Sequence, residues 1–392
     1  TGGNTIGGTS DTARNIISGN SGAGIYVLRQ TTERPELEPN TIVGNWIGPA
    51  VSGEAPPLYR NYGFDPEPRR NAGGIWIKNA ANTLIGGEEE GTGNLIAFNG
   101  DEDHRVSGVK IEGDATGCAI LGNSIHSNVP YGIDLGGYGA TMNDPQDSDT
   151  GPNERQNYPI ISGRDASGTV SGTLKSQPGT TYRLEFFDNV ESIGQGETFL
   201  VAIDAATNAE GLAAFAVGLA EAQGQISATA TDPDGNSSEF SLPTLIVNRT
   251  GDESDVTGDA ICDVSLDQDG PQISLRAAIE FANQLAGPPI HIVFDIPEGR
   301  AVPVISPASE LPTIERPVTL DGRTQSSGRV ILDGSSAGDT ARGVHVTSGD
   351  CVVTGLTVRH FGSHGIEAEH PAPVIELQDV SCTDNGGWGI LA

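Results

Sequence analysis

The stretch "CAILGNSIHSNVPYGIDL" at residues 118–135 carries the pattern that decides the fold. Within it, the apolar Ile125 is followed three positions later by Asn128, and then by Gly132 and Ile133. Short apolar runs separated by Asn and Gly are typical of β-strands joined by tight turns. The stretch therefore predicts two short strands with a turn between them.

The same order of residues recurs elsewhere in the chain. The matching sets are Ile17, Asn20, Gly24 and Ile25; Ile96, Asn99, Gly108 and Val109; Val358, Phe361, Gly365 and Ile366; and Cys382, Asn385, Gly389 and Ile390. The second set requires residues 100–107 to bulge from the turn, and the third has Phe in the Asn position. The last apolar residue recurs at positions 344, 366 and 390, and at 25, 75, 109 and 133. Such a period, near 24 residues, predicts a solenoid of stacked coils.

We predict an all-β fold dominated by a parallel β-helix, in which each coil pairs its strands with the coils on either side. One coil cannot bury its own apolar face, so the core forms by stacking. The recurring Asn predicts a ladder of side-chain amides that satisfy backbone groups from coil to coil. The alternatives are a β-propeller and an array of sandwiches, but propeller repeats are longer, at about 40 residues.

The β-helix pattern is interrupted twice. Residues 161–245 contain alternating strands with Gly, Asn, Asp and Pro turns, which predict a small antiparallel sandwich. Residues 246–300 contain a short amphipathic helix with Ser274 as N-cap and Gly287 at its end, typical of a cap over a first coil. The predicted organisation is one half of a β-helix at 1–160, the sandwich at 161–245, the cap at 246–300 and the other half at 301–392.

The two ends of the chain carry the same repeat pattern. If Thr1 followed Ala392, then Ile390 and Ile25 would be 27 residues apart, which is one ordinary coil. We therefore expect the unit to continue into a copy of itself, either in tandem or between separate subunits. An arbitrary cut through similar repeats is the alternative.

Several stretches resemble a known group of proteins. "NTIGGTSDTARNIISGNSGAGIYV" resembles the large bacterial surface proteins with right-handed parallel β-helix repeats. "TYRLEFFDN" and "ISATATDPDGNSSEFS" resemble their immunoglobulin-like module, and "ISLRAAIEFAN" is similar to their CSLREA-type region. The resemblance implies an extracellular, cell-surface location. This chain departs from the family in having Ile273 where the motif has Cys, which leaves the pairing of Cys262 in doubt.

The charge of the chain limits its partners. The net charge is −31, and only three of the 21 basic residues are Lys. Nucleic-acid binding requires a basic footprint, so we expect no nucleic-acid partner. No apolar run is long enough to span a membrane. An acidic chain of this kind favours divalent cations.

Three Asp-rich stretches offer hard oxygen ligands at alternate positions, the arrangement that Ca²⁺ loops use. The candidate ligands are Asp147, Asp149 and Asn153 in the first stretch; Asp252, Asp255, Asp259 and Asp263 in the second; and Asp232 and Asp234 in the third. The alternative for each stretch is a solvated acidic turn, and the last of them reads most simply as a plain turn. We therefore predict Ca²⁺ as the one possible cofactor.

The remaining polar groups give weaker signals. Cys118, Cys351 and Cys382 occupy apolar positions of the repeat, so we expect buried structural thiols. Several carbohydrate lyases and hydrolases use a β-helix, but no residue spacing in this chain is specific for such a site, and fold alone does not assign activity. We therefore expect no enzyme. The chain is predicted to be a repeat unit of an extracellular fibre, adhesin or surface-layer protein; the alternative is a polysaccharide-binding or polysaccharide-degrading protein.

Overall fold

The computed structural model describes most of the chain. The described residues are 2–29, 38–50, 52–55, 58–59, 67–68, 70–100, 106–129, 131–136, 141, 143–144, 146–165, 167–189, 194–255, 262, 264, 272–285, 289–297, 301–369 and 375–392. They form two compact units, Thr1–Ser241 and Leu242–Ala392. Both are nearly all β, so the all-β prediction is confirmed. Among the described residues, no helix combines the length and the apolar character that a membrane crossing needs.

The first unit consists of short strands. In chain order these are β1 Thr5–Gly7, β2 Ile16–Ile17, β3 Ala23–Leu28, β4 Asn40–Val43, β5 Trp46–Ile47, β6 Leu58–Tyr59, β7 Glu67–Pro68, β8 Gly73–Lys78, β9 Thr83–Gly86, β10 Leu95–Ala97, β11 Val109–Glu112, β12 Ala119–Leu121, β13 Ser124–His126, β14 Ile133–Leu135, β15 Ile160–Arg164, β16 Thr169–Lys175, β17 Thr181–Asn189, β18 Thr198–Ala206, β19 Leu212–Gly218 and β20 Gln225–Thr231. The strands β6 and β7 pair only with each other.

Apart from β6 and β7, the strands from β1 to β14 form three parallel sheets. Successive strands along the chain belong to the first, second and third sheet in turn. Their orders are β1-β4-β9-β12, β2-β5-β10-β13 and β3-β8-β11-β14. Each circuit adds one strand to every sheet, which makes a layer. The register brings Ile25 beside Ile75, Ile75 beside Val109 and Val109 beside Ile133. The predicted equivalence of these four positions is therefore confirmed.

Aliphatic side chains fill the space between the three sheets. Ile42, Ile47, Ile75 and Ile96 are fully buried in this core. The Gly that precedes each of the aligned residues is required by close packing, since a Cβ on Gly74 would lie 2.2 Å from the carbonyl oxygen of Gly108. The recurring Gly thus marks a point where neighbouring layers touch through their backbones.

The rest of the first unit forms two antiparallel sheets, in the orders β15-β16-β19 and β18-β17-β20. They share a core that includes Val170, Leu184, Phe186 and Phe215. The predicted antiparallel strands are present in this region.

The second unit repeats the layered parallel arrangement. Its elements are β21 Thr244–Val247, α1 Leu275–Gln284, β22 Ile290–Phe294, β23 Val304–Ile305, β24 Val318–Asp321, β25 Val330–Asp333, β26 Val344–Val346, β27 Cys351–Thr354, β28 Leu356–Arg359, β29 Ile366–Ala368, β30 Ile375–Gln378, β31 Ser381–Thr383 and β32 Ile390–Leu391. The sheet orders are β21-β22-β24-β27-β30, β23-β25-β28-β31 and β26-β29-β32.

The helix α1 lies over the core of this unit. Ser274 is its N-cap, because the Ser274 hydroxyl accepts a hydrogen bond from the N–H of Ala277 at 3.0 Å. Leu275, Ala278 and Ile279 are buried in the same core as Ile292 and Leu320. The predicted cap and apolar face are confirmed, whereas Gly287 lies outside the described residues.

The four Cys side chains lie among the apolar side chains. Cys118, Cys262 and Cys351 are buried and Cys382 is half-buried. Burial raises the pKa of Cys118 to about 12 and that of Cys351 to about 11. These thiols are protonated at neutral pH, in agreement with the predicted structural role of the three Cys in the repeat positions.

Candidate functional site

Asn ladders run from layer to layer at two turns of the first unit. At one turn, the backbone N–H of Asn99 donates to Oδ1 of Asn128 at 3.1 Å, and its Nδ2 donates to the same oxygen at 2.9 Å. Asn20 makes both contacts with Oδ1 of Asn71, and Nδ2 of Asn71 donates to Oδ1 of Asn99. A second ladder joins Asn15, Asn45, Asn94 and Asn123. The predicted role of the recurring Asn is confirmed.

The layer edge formed by β12, β13 and β14 is covered by side chains from residues 185–239. Their carboxylate, amide and hydroxyl oxygens accept hydrogen bonds from edge N–H groups that no further strand meets. The pairs are Ile120 to Ser237 at 2.9 Å, Gly122 to Glu185 at 2.9 Å, Asn128 to Gln195 at 3.1 Å and Leu135 to Glu239 at 2.9 Å. An unpaired strand edge invites pairing with another chain, and these acceptors remove that possibility here. We call this set of contacts the covered edge.

Two carboxyl groups at the covered edge are buried, and burial disfavours their charged forms. Burial, opposed by three hydrogen-bond donors, raises the pKa of Glu239 to about 8. Burial also raises the pKa of Asp134 to about 6, although Lys110 Nζ lies 3.4 Å from its Oδ2. Both groups therefore hold protons more tightly in the folded chain than in the unfolded chain.

Two other layer edges, formed by β1–β3 and by β30–β32, have no strand or side chain covering them among the described residues. We call them the open edges. Ile390 of β32 is 50% exposed, whereas Ile366, its partner in the next layer, is 1% exposed. At the other open edge, Ile17 is only partly buried, whereas Ile47 beside it is fully buried. Side chains at core positions are therefore more exposed to water at both open edges than in the adjacent layers.

The Asn side chains at the open edges have complementary hydrogen-bonding groups. Asn385 accepts from the N–H of Phe361 at 3.0 Å and donates from Nδ2 to the Val358 carbonyl at 3.1 Å. Asn385 thus has the geometry of a ladder Asn. Within the described part of the chain, the backbone N–H of Asn385 meets no acceptor. Asn20 donates to Asn71, while its Oδ1 meets no donor among the described residues. One edge offers a ladder donor and the other a ladder acceptor.

An acidic loop brings together two of the predicted calcium ligands. Oxygens of Asp147, Asp149 and Asp144 lie within 4.8 Å of one another. Asp147 is buried, and it accepts from the Ser176 hydroxyl at 2.5 Å and from the N–H of Asn157 at 2.9 Å. Burial raises the pKa of Asp147 to about 6, and it also raises the pKa of Asp149.

This cluster has the composition of a hard cation site. Oδ1 of Asp149 is a buried oxygen without a hydrogen-bond partner, and the nearest counter-charge in the described region is Arg155 Nη1, 3.7 Å from Oδ2. A divalent cation would satisfy that oxygen and relieve the repulsion that neighbouring Asp144 exerts. The three carboxylates therefore fit Ca²⁺.

The other predicted ligands lie elsewhere. Asn153 accepts from the N–H of Cys118 at 3.0 Å and donates to its carbonyl, so this amide continues the backbone pairing of a layer and is not part of the acidic loop. Asp232 closes a turn by accepting from the N–H groups of Asp234 and Asn236. In neither place do the contacts favour a metal.

The second Asp-rich stretch is tied to the helix α1. Asp252 forms a two-point ion pair with Arg276, at 3.0 and 3.1 Å. The N–H of Asp255 donates to Glu280 at 3.1 Å. Asp259 and Asp263 lie outside the described residues. The described part of this stretch therefore holds the helix rather than a cation.

A second cluster that could hold a metal contains His345 on β26, Glu367 on β29 of the next layer, and Glu369 just after β29. Here Arg342 supplies the positive charge, because its Nη1 lies 3.1 Å from His345 Nε2 and 3.7 Å from Glu369 Oε1. The guanidinium takes the place that a cation would have.

Sequence reasoning missed Asp144 and all the acceptors of the covered edge. Asp144 falls outside the alternate spacing that pointed to Asp147 and Asp149. Glu239 and Gln195 meet their partners across 104 and 67 residues of chain. No local pattern signals such contacts.

Comparison with protein-family models found no match for this chain, and comparison with curated proteins found none either. The functional argument therefore rests on the geometry of the layers and their edges.

Proposed function

We propose that the chain is a structural repeat unit of an extracellular fibre, adhesin or surface-layer protein, in which units join end to end through a continuous right-handed parallel β-helix. The three-sheet arrangement supports a β-helix in both compact units, and the aligned Ile and Asn rows support it in the first. In such a fibre, the partner of each chain is another copy of the same chain.

The observation that carries the proposal is the complementarity of the two open edges. If the edge at Asn385 stacks on the edge at Asn20 of the next copy, the free N–H of Asn385 meets the free Oδ1 of Asn20. The contact repeats that between Asn99 and Asn128. Ile17 and Ile390, core side chains that the open edges leave exposed to water, would be buried by the same step, and their burial favours association.

Exposure of apolar side chains is concentrated at these edges. Nine large hydrophobic residues are exposed among the described residues, and six of them belong to β2, β3, β32 or the turn before β32; of these six, Tyr26 and Leu28 face outward from the core. The most exposed are Trp388 at 66% and Ile390 at 50%. Apolar side chains that the last layer of a core leaves in water favour association with a further layer.

The test is the assembly state of the purified 392-residue chain. Sedimentation velocity and electron microscopy over a range of concentrations should find end-to-end oligomers or filaments. Ile390→Asp should abolish them, because it places a carboxylate in the joined core. Val304→Asp is the matched control, since Val304 is exposed, at 38%, but lies away from both open edges. Monomers at all concentrations, or equal assembly of both variants, would refute the proposal.

A second experiment separates a tandem polypeptide from separate subunits. Trypsin cleaves after Arg359 and after Arg14, with no Lys or Arg in residues 360–392. In native material, a peptide that runs from His360 through Ala392 into Thr1 and on to Arg14 would identify a tandem repeat. Peptides that end at Ala392 would identify separate chains joined by strand pairing alone.

We further propose that Ca²⁺ binds the acidic loop. Asp144, Asp147 and Asp149 would hold it, and the ion would stiffen the segment that connects β14 with the antiparallel sheets. The support is the closeness of the three carboxylates and the partnerless Oδ1 of Asp149.

A further inference from the structure

The outer face of the sheet β3-β8-β11-β14 carries two neighbouring aromatic rings. Inward-facing Ile25, Ile75 and Val109 alternate along these strands with outward-facing residues. The outward residues of the first three layers are Tyr26 and Leu28, then Trp76 and Lys78, then Lys110 and Glu112. We call Tyr26, Leu28, Trp76, Lys78 and Glu112 the aromatic platform.

The platform is accessible at one end and rigidly held at the other. Tyr26 is 49% exposed and Leu28 is 38% exposed. The ring centroids of Tyr26 and Trp76 are 5.0 Å apart, with an angle of 43° between the rings. Trp76 Nε1 donates to Glu112 Oε2 at 3.0 Å, which fixes the orientation of the indole. Fixed aromatic side chains lose little conformational entropy when a ligand stacks on them.

The charges of the platform are balanced. Lys78 Nζ lies 3.3 Å from Glu112 Oε1 and 5.7 Å from the centre of the Trp76 ring. In the next position, Lys110 is paired with Asp134. Two of the three Lys of a chain with net charge −31 therefore lie on this one face, where each is matched by a carboxylate. A neutral ligand meets no repulsion here, whereas the acidic surroundings disfavour an anionic one.

We propose that the aromatic platform binds a neutral polysaccharide chain. The C–H face of a pyranose ring is apolar and stacks on an aromatic ring, while its hydroxyls require donors and acceptors at the rim. Tyr26 and Trp76 supply the aromatic rings for stacking. Glu112 and Lys78 supply a hydrogen-bond acceptor and a donor at the rim. Three layers spaced about 4.8 Å apart give a platform roughly 10 Å long, a length comparable to that of a disaccharide.

This inference does not depend on end-to-end assembly, because the side chains of the platform point away from the core that the open edges expose. If units do join, the platform would recur along the fibre. Weak contacts with one long polysaccharide would then add through multivalency.

The test is affinity electrophoresis of the 392-residue chain in native gels that contain hydroxyethylcellulose, a neutral polysaccharide. Carboxymethylcellulose, which has the same backbone and carries negative charge, is the comparison. We expect retardation by the neutral polymer and less by the charged one. Tyr26→Ala and Trp76→Ala should each weaken binding by about 3- to 10-fold, the loss of one stacked ring.

Two controls separate binding from folding. Tyr26→Phe keeps the ring and should bind like the parent chain. Phe199→Ala removes an aromatic side chain that is 39% exposed on β18, away from the platform, and should also bind normally. Thermal unfolding of each variant verifies that it is folded. No retardation by hydroxyethylcellulose, stronger retardation by carboxymethylcellulose, or full binding by folded Tyr26→Ala would each overturn the inference.

Discussion

The covered edge at β12–β14 and the open edge at β30–β32 belong to the same kind of layered sheet, but their backbone N–H groups have different surroundings among the described residues. At the covered edge, Ser237, Glu185 and Glu239 accept the N–H groups that a further strand would otherwise meet. At the open edge, Ile390 is half exposed and the Asn385 N–H has no acceptor among the described residues. The difference shows that polar side chains, placed singly, can close a parallel sheet that would otherwise propagate.

A large loss of stability is expected when the covered edge is opened. Glu239→Ala leaves the buried N–H of Leu135 and the partly buried N–H of Thr141 without acceptors. Each unsatisfied donor costs about 1–3 kcal/mol, so unfolding by urea should show a loss of roughly 3 kcal/mol.

The control for this substitution is Glu239→Gln, which keeps an acceptor oxygen and resembles the protonated form that a pKa of about 8 favours at neutral pH. It should cost distinctly less. Equal losses for the two variants would mean that the hydrogen bonds at the covered edge contribute nothing particular to stability.

Truncation of an Ile side chain to Ala should cost less stability at the open edge than in the adjacent layer. Ile366 and Ile390 occupy the same position in adjacent layers. Ile366→Ala should destabilise the chain by about 2–4 kcal/mol, as expected for a buried aliphatic side chain. Ile390→Ala should cost less than about 1 kcal/mol in dilute, unassembled protein, since half of the side chain is already in water. Chemical denaturation of the two variants measures both losses in the free energy of unfolding. Similar losses would indicate that Ile390 is covered in solution.

Much of the layered fold could be predicted from the sequence, because its determinants are periodic. Ile75, Val109 and Ile133 recur at coil spacing, and the Asn between them recurs for the same reason. The covered edge could not be predicted, because Glu239 and Gln195 act across long stretches of chain and each does so once. Asn153 illustrates the limit: in the sequence it looks like the end of an acidic loop, but in the structure it hydrogen-bonds the backbone of Cys118.

The two units should respond to pH in opposite directions. Glu239 and Asp134 have folded pKa values of about 8 and about 6, above their ordinary values of 4.5 and 3.8. Their contribution to stability is present at low pH and is lost as the pH rises through these windows. His291 of the second unit is buried, which lowers its pKa from 6.5 to about 4. Its contribution is present above pH 6.5 and is lost as the pH falls toward 4.

Hydrogen exchange resolves the two responses within one chain. Between pH 5 and pH 8, protection of the β12–β14 amides should decrease and protection of the β22 and β24 amides should increase, after correction for intrinsic exchange. Because other groups partly compensate, we expect net changes on the order of 1–2 kcal/mol. Parallel changes in both regions would show that the buried carboxyl groups do not control the covered edge.

The smallest effect concerns the acidic loop beside the covered edge. Ca²⁺ in excess should raise the stability of the chain by about 1 kcal/mol, since binding to the folded state alone stabilises it in proportion to the logarithm of the ion concentration. Asp144→Asn should remove this gain in thermal unfolding, whereas Asp204→Asn, which removes the same charge from an exposed position on β18, should keep it. The gain should fade below about pH 6, where Asp147 binds a proton in competition with the ion. A gain that Asp144→Asn retains would place any bound Ca²⁺ elsewhere on this acidic surface and leave the loop as a hydrogen-bonded connection to Ser176.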